Sequence, residues 1–328
     1  MIRNLLLLLS ILLTPCVAHA ADYYAAASGG GGTTCSSESP CTLAYLNGHI
    51  AAGDKAILKD GTYNTPVMPT NSGSAGNVIE YVKDTGATVN ITACGAGYPC
   101  LFLDGKDYIK VNGIRFYDPT GTATIMNIRN GADYNEVTDC TFYSTSTTTH
   151  NAIVIWGQCT GGSPYTCPST HNWFHGNTVY NMGYINAECD DVGNNMYVGS
   201  ATANDGTSNY TTIEDNVFYG GAHGIAEIYT KYNVIRNNVL HNEGYLTDPG
   251  TCTYGASARN AKYGNRGIQL YEGHDDTATY DLLESNRIGH SAFASDGGMD
   301  GNIVITSKNN IVRYNDSYYS LRWNLHHF

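Results

Sequence analysis

Charge is spread unevenly along this chain. Between Arg129 and Lys231 there is no lysine or arginine, while Glu188, Asp190, Asp191, Asp205, Glu214, Asp215 and Glu227 supply carboxylates. Lys231, Arg236, Arg259, Lys262 and Arg266 then follow in close order. Clustered carboxylates are the hard oxygen ligands that calcium takes. A basic side chain beside them, with its pKa lowered, can remove an acidified proton. That combination suits β-elimination from a uronate sugar, in which a cation neutralises the sugar carboxylate and a base takes the neighbouring proton. Glu188, Asp190 and Asp191 are the candidate calcium ligands. Lys231 is the candidate base, Arg266 its rival, and His223 is placed to assist. The plainer reading is a solvated acidic turn with basic residues offsetting a negative surface. For a hydrolase the candidate carboxylates are Glu227, Glu272 and Asp275, of which two would have to flank one cleft at about 5–9.5 Å.

These side chains need a scaffold, and the sequence describes one by self-similarity. The segments VNGIRF (111–116), VTDCTF (137–142), FHGNTV (174–179), IEDNVF (213–218), IRNNVL (235–240), LESNRI (283–288) and VRYNDS (312–317) stack on one another. Their fourth column reads Ile114, Cys140, Asn177, Asn216, Asn238, Asn286, Asn315. A second set, NAIVIW (151–156), NMYVGS (195–200), GIAEIY (224–229), GIQLYE (267–272) and NIVITS (302–307), alternates with the first. The shortest interval between column positions, Asn216 to Asn238, is 22 residues. Short strands at such a period, with the excess length at fixed places, fit a parallel β-solenoid whose insertions emerge as loops. An asparagine facing inward at a bend can bond to the asparagines above and below, which satisfies its own buried amide. Cys140 shares that column and is expected to point inward. The competing fold is a β-sandwich with asparagine-rich turns.

Composition agrees with an exported all-β protein. The opening MIRNLLLLLSILLTPCVAHA has the charge, apolar run and small-residue site of a secretory leader, with cleavage expected before Ala21. No other apolar run approaches the roughly 18 residues of a membrane span. The chain of 328 residues carries 17 basic and 29 acidic residues, which disfavours nucleic acid as a partner. Cys35 with Cys41, Cys94 with Cys100 and Cys159 with Cys167 bound short loops and are expected as disulfides in an oxidising compartment. Of the remainder, Cys189 is paired with Cys252, and Cys140 stays a buried thiol.

The repeat resembles the right-handed parallel β-helix superfamily of pectate lyases, polygalacturonases and alginate lyases. The segment with Gly53-Asp54 and Asp60-Gly61-Thr62-Tyr63 is similar to the start of many secreted members. Their catalytic patterns match only in part. GAHGI (221–225) is similar to the histidine strand of polygalacturonases, but Gly193-Asn194-Asn195 stands where paired aspartates are required. Asp190-Asp191-Val192-Gly193-Asn194 resembles a calcium motif of pectate lyases, whose lysine position falls on Ala226 or Gln269. Glu227 and Lys231 resemble the first part of the alginate lyase pattern, whose arginine position falls on Tyr271.

The expected architecture is therefore an all-β, single-domain right-handed parallel β-helix with an inward asparagine ladder. Its leader covers 1–20, the N-terminal cap and first rungs 21–100, and the later rungs 101–328. The expected function is a calcium-assisted lyase on a uronate-containing polysaccharide, secreted or periplasmic. A non-catalytic glycan-binding or surface-structural module and the hydrolase are the alternatives. Trp156, Tyr197, Tyr229 and Tyr271 are the candidate platform for sugar rings.

Overall fold

A computed structural model describes residues 20–28, 30, 32–94, 98–120, 124–144, 152–160, 166–182, 184–185, 191–192, 194–199, 208–220, 223–241, 266–271, 279–289, 301–318 and 325–327. The expected Cys189–Cys252 pair lies outside these residues, as do Glu188, Asp190, Glu272 and Asp275.

At the N-terminal end, Thr42 caps helix α1 (Leu43–His49) by accepting the Tyr45 N–H at 3.1 Å. Leu43 and Leu46 are buried in the core beside the first rung. The Gly53-Asp54 motif ties that rung down. Asp54 accepts N–H bonds from Ala21 at 3.1 Å and Ala51 at 2.8 Å. The Tyr63 hydroxyl, buried, donates to the Ala25 carbonyl at 2.9 Å. Strand Asp22–Ala25 is thereby fixed parallel to Lys55–Leu58.

From there the chain winds through three parallel sheets of ten, nine and eight strands. Sheet A runs from Asp22–Ala25 to Ile311–Arg313, sheet B from Gly61–Tyr63 to Asp316–Tyr318, and sheet C from Leu101–Asp104 to Leu325–His327. Each strand pairs in parallel with its counterpart one turn on, as a β-helix requires. Inward side chains stack into one elongated core in which Phe116, Phe142, Phe174 and Phe218 are fully buried. The antiparallel pair Tyr184–Ile185 with Asp191–Val192 stands apart from the three sheets.

The sheet A–turn–sheet B portion is one module repeated without change of length: YIKVNGIRFY (108–117), YNEVTDCTFY (134–143), HNWFHGNTVY (171–180), YTTIEDNVFY (210–219), YNVIRNNVLH (232–241), YDLLESNRIG (280–289) and NNIVRYNDSY (309–318). Its middle turn takes positive φ at Gly113, Asp139, Gly176, Asp215, Asn237, Ser285 and Tyr314. The next residue points inward, and there the asparagines bond in series. Asn216 donates both its backbone N–H and its Nδ2 to Asn238 Oδ1, each at 3.0 Å. Asn238 does the same to Asn286 at 3.0 Å, and Asn286 to Asn315 at 2.9 Å. Each Nδ2 also reaches a carbonyl of the preceding rung, as Asn238 does to Ile213 at 2.9 Å. Cys140 continues the column. Its N–H donates to Asn177 Oδ1 at 2.9 Å, and its thiol faces the Val111 carbonyl at 3.7 Å, the place an amide would take. Burial pushes that thiol up to about 12, so it is an unreactive core group. The three loop disulfides form, at Cys35–Cys41, Cys94–Cys100 and Cys159–Cys167.

A second inward ladder stands at the start of sheet A. Asn135 donates to Asn172 Oδ1 at 3.0 and 3.1 Å, Asn233 to Asp281 at 2.8 Å, and Asp281 to Asn310 at 2.9 Å. Thr211 interrupts it: its N–H reaches Asn233 Oδ1 at 2.8 Å, but its hydroxyl is buried with no partner among the described residues. The preceding residue takes a left-handed conformation at Tyr108, Tyr134, His171, Tyr210, Tyr232 and Tyr280. Their rings stack face to face along the outside at 4.8–5.5 Å between centroids, which offsets the backbone strain.

Sheet A's outer face carries Glu214, Arg236, Glu284 and Arg313 in one register column of alternating sign. Arg236 bonds Glu214, and Arg313 bonds Glu284 at 2.8 Å. Arg236 and Glu214, read from the sequence as parts of opposed basic and acidic clusters, are thus engaged with each other. Two rungs earlier, Glu136 accepts from Lys110 at 2.8 Å and from His175 Nε2 at 3.0 Å. Burial alone would raise the Glu136 pKa, but the bonds from Lys110 and His175 outweigh it and hold it below its ordinary value.

Three predictions follow from these contacts. Asn238→Ala strips partners from the Asn216 N–H, the Asn216 amide and the Ile213 carbonyl, and should lower unfolding free energy by roughly 3–5 kcal/mol in urea titration. Thr211→Asn should complete the second ladder and add about 1 kcal/mol. Because Glu136 has a depressed folded-state pKa, its contribution is present above the unfolded-state value and is lost as pH falls through the folded one. Melting temperature should therefore fall between about pH 5 and pH 3 less steeply in Glu136→Gln than in the wild type.

Candidate functional site

From Tyr108 onward, the fixed length of the A–B module leaves variation to the connections of sheet C. The segments that differ in length between rungs are those entering and leaving sheet C, among them 145–151, 161–165, 200–207, 242–265 and 290–300. The connections into and out of sheet C therefore differ in length from rung to rung. The outer column of that sheet contains Phe102, Asn127, Val154, Tyr197, Ala226, Gln269 and Val304. Phe102 and Val154 are each only 6% exposed, and Ala226 2%, although they face away from the core. Burial pushes the Tyr197 hydroxyl up to about 12, with Tyr229 adding to it. Among the described residues, sheet C thus has an outer column with buried apolar members.

The register separates the residues singled out in the sequence into two groups. Asp191 begins the second strand of the short antiparallel pair, Asp191–Val192, which comes just before strand Asn194–Gly199. His223 begins strand His223–Ile228 and pairs with Asn194. Arg266 begins strand Arg266–Tyr271, and the pairing of Ile225 with Ile268 sets it one rung from His223. Asp191, His223 and Arg266 therefore gather at the leading edge of sheet C. Lys231 lies past the other end of the same strand, on the bend between sheets C and A, half-exposed beside Tyr232. Its N–H donates to Asn209 Oδ1 at 2.8 Å. A strand of this length spans about 20 Å, so Lys231 and His223 stand at opposite edges.

The aromatic platform is also redistributed. Trp156 and Tyr271 share a column with Gly199 and Ile228 between them, whereas Tyr197 belongs to the neighbouring outer column with Ala226 and Gln269. Tyr229 follows the strand in a left-handed conformation, φ 57°. The four do not form one stripe on successive rungs. Glu227 is paired with Val198 and Leu270, both buried in the core, and so occupies a core-facing register position. Asn195, which stands at one of the positions where a polygalacturonase needs aspartate, is fully buried. Among the described residues no group of three histidine, cysteine or acidic side chains could hold a metal. Of the candidate calcium ligands, only the Asp191 backbone lies within them.

One polar cluster on the outer face was missed by the sequence reading. Arg129 Nε bonds Asp104 Oδ1 at 3.3 Å, its Nη1 bonds Gln158 Oε1 at 2.9 Å, and its guanidinium lies 4.8 Å over the Phe102 ring. The Thr160 hydroxyl donates to Asp104 at 3.4 Å, and its N–H to Asn130 at 3.1 Å. The Cys159–Cys167 disulfide closes the loop that carries Thr160, and Gln158 directly precedes it. The signal was available: Arg129 is the last basic residue before the long tract that lacks them.

No protein-family model matches the chain, and no curated protein is similar to it at a significant level. Solved structures do match it. The pectate lyase Pel9A superposes with TM-score 0.60 at 12% identity, over 93% of this chain and 72% of that one. An alginate lyase from Paenibacillus sp. str. FPU-7 gives 0.52 at 14%, over 93% and 99%. A GH136 lacto-N-biosidase from Eubacterium ramulus gives 0.58 at 12%, over 90% of this chain and 55% of its own length. At such identities the likeness is one of fold, and the chain shares the parallel β-helix fold of these structures.

Proposed function

We propose that this protein is an exported, polysaccharide-active enzyme that cleaves a uronate-containing glycan by β-elimination on the outer face of sheet C. The observation that carries the reading is the register of His223 and Arg266 on adjacent rungs at the leading edge of that sheet, with the Asp191–Val192 strand just before the preceding rung. The pectate and alginate lyases among the structural neighbours are consistent with it. In this reading His223 takes the proton next to the sugar carboxylate, since a neutral imidazole is a base near neutral pH. The electron pair of the broken C–H bond forms the new carbon–carbon double bond as the C–O bond to the leaving sugar breaks. The glycosidic oxygen takes its proton from water, and the protonated His223 returns its own to solvent. Arg266 stays charged and stabilises the negative charge that builds on the carboxylate. Glu188, Asp190 and Asp191 have the donor chemistry that calcium takes, and the ion would neutralise the bound uronate there. Lys231, on the far edge, is reassigned to contact a different sugar unit.

The test is ultraviolet absorbance of the unsaturated product on pectate, alginate and glycosaminoglycans, with calcium and with chelator. Growth on one substrate should fall by about a hundredfold or more in His223→Ala and Arg266→Ala, and far less in Lys231→Ala. Equal loss in Lys231→Ala would overturn the edge assignment. Absence of product on every substrate, with glycan binding retained, would favour the non-catalytic module.

Export makes a separate prediction. Cleavage before Ala21 leaves an ammonium at the nitrogen that bonds Asp54 at 3.1 Å, converting that contact into a charge-assisted pair. Intact mass of the exported protein should correspond to a chain starting at Ala21. A form with Gly-Ser placed ahead of Ala21 should melt lower, and identical melting would remove the role given to the pair.

A further inference from the structure

We infer that Asp104 and Arg129 form a subsite for the hydroxyls of a sugar unit, distinct from the edge where the uronate carboxylate is neutralised. The inference rests on the proposal that glycans lie along the outer face of sheet C. Both residues project from that face on neighbouring rungs, since Asp104 pairs with Arg129 in register. Each is about a quarter exposed, with side-chain values of 26% and 24%, so each can meet a ligand.

The hydrogen bonds leave a defined remainder. Asp104 Oδ1 is occupied by Arg129 and Thr160, while Oδ2 has no partner among the described residues. Arg129 spends Nε on Asp104 and Nη1 on Gln158, which leaves Nη2 open among the same residues. The cluster therefore offers one acceptor and one donor side by side. A vicinal diol matches it, giving one hydrogen to Asp104 and accepting one from Arg129. A carboxylate does not, because it has no hydrogen to give and would face the open Asp104 oxygen. The guanidinium charge is already offset by Asp104 at 3.3 Å, so little net attraction remains for an anion.

Apolar surface and rigidity complete the site. Phe102 lies beneath the guanidinium at 4.8 Å, and Trp156 takes the next place in the Arg129 column. An apolar floor with a few fixed polar groups is the usual composition of a small-ligand site. The Cys159–Cys167 disulfide closes the loop that carries Thr160, and Gln158 directly precedes it, so the polar groups are set before a ligand arrives.

Calorimetric titration with chelator present would use oligogalacturonate, oligomannuronate and the carboxyl-reduced counterpart of each, at equal length. The wild type should bind at least one acidic oligomer and its reduced counterpart with affinities within about threefold of each other. Arg129→Gln and the isosteric Asp104→Asn should each weaken both by about tenfold or more, at a melting temperature close to the wild type. Arg129→Lys, which keeps charge but not the fork, should weaken both as well. Binding of the acidic form alone, or variants that bind like the wild type, would overturn the subsite while leaving the glycan groove standing. Failure of the wild type to bind any of these oligomers would overturn the groove reading, and the subsite with it.

Discussion

The fold depends on what a buried bend does with its backbone. Each rung turns the chain twice around sheet A, and at both turns an N–H points into a core without water. The next rung supplies the acceptor, through Asn177, Asn216, Asn238, Asn286 and Asn315 at one turn and Asn172, Asn233, Asp281 and Asn310 at the other. An asparagine suits this because one carbonyl oxygen takes two donors while its own Nδ2 reaches back to the rung before. Removing one such residue leaves several groups orphaned in low dielectric, where each is expensive. Cys140 can stand in the column because its backbone N–H does the donating and its thiol fills the space of an amide.

This constraint explains where the molecule can vary. One residue added between the two ladders would turn the following side chains to the opposite face and break both columns at once. The module from Tyr108 to Tyr117 is accordingly repeated at constant length through 309–318. In these rungs, insertions are left to the connections that enter and leave sheet C. The outer tyrosines report the same uniformity. Rings at identical places on successive rungs stack at about the strand spacing, as Tyr143, Tyr180 and Tyr219 also do outside sheet B at 5.1 and 4.9 Å. Their faces are largely engaged with one another. They stiffen the solenoid and are poorly disposed to stack on sugars.

What the sequence made legible follows from how local each signal was. The first ladder and the three short disulfide loops lie within a few residues of their own markers, and all were readable. The second ladder starts five residues earlier in every module, but Thr211 and Asp281 break the run of asparagines and conceal it. The stacked tyrosines escaped because a left-handed bend is not where strand alternation looks for an aromatic. The charged residues misled for a different reason. Glu214 and Arg236 were read as members of separate acidic and basic tracts along the chain, yet they face each other one rung apart. In a solenoid, distance along the chain and distance in space are decoupled by the rung.

That decoupling also decides which basic residue belongs with the acids. Lys231 is near His223 in sequence, but a whole strand separates them across sheet C. Arg266 is much farther along the chain, yet stands about one strand spacing, roughly 4.8 Å, from His223. Elimination from one sugar needs its base and its charge-stabilising group around neighbouring atoms of a single ring. Two side chains one rung apart meet that requirement, whereas groups at opposite edges of the sheet can only address different units of the polymer. On the proposed reading, Asp104 and Arg129, on earlier rungs, would hold a unit remote from the reacting one. Binding energy gathered there is available to orient the ring at the leading edge.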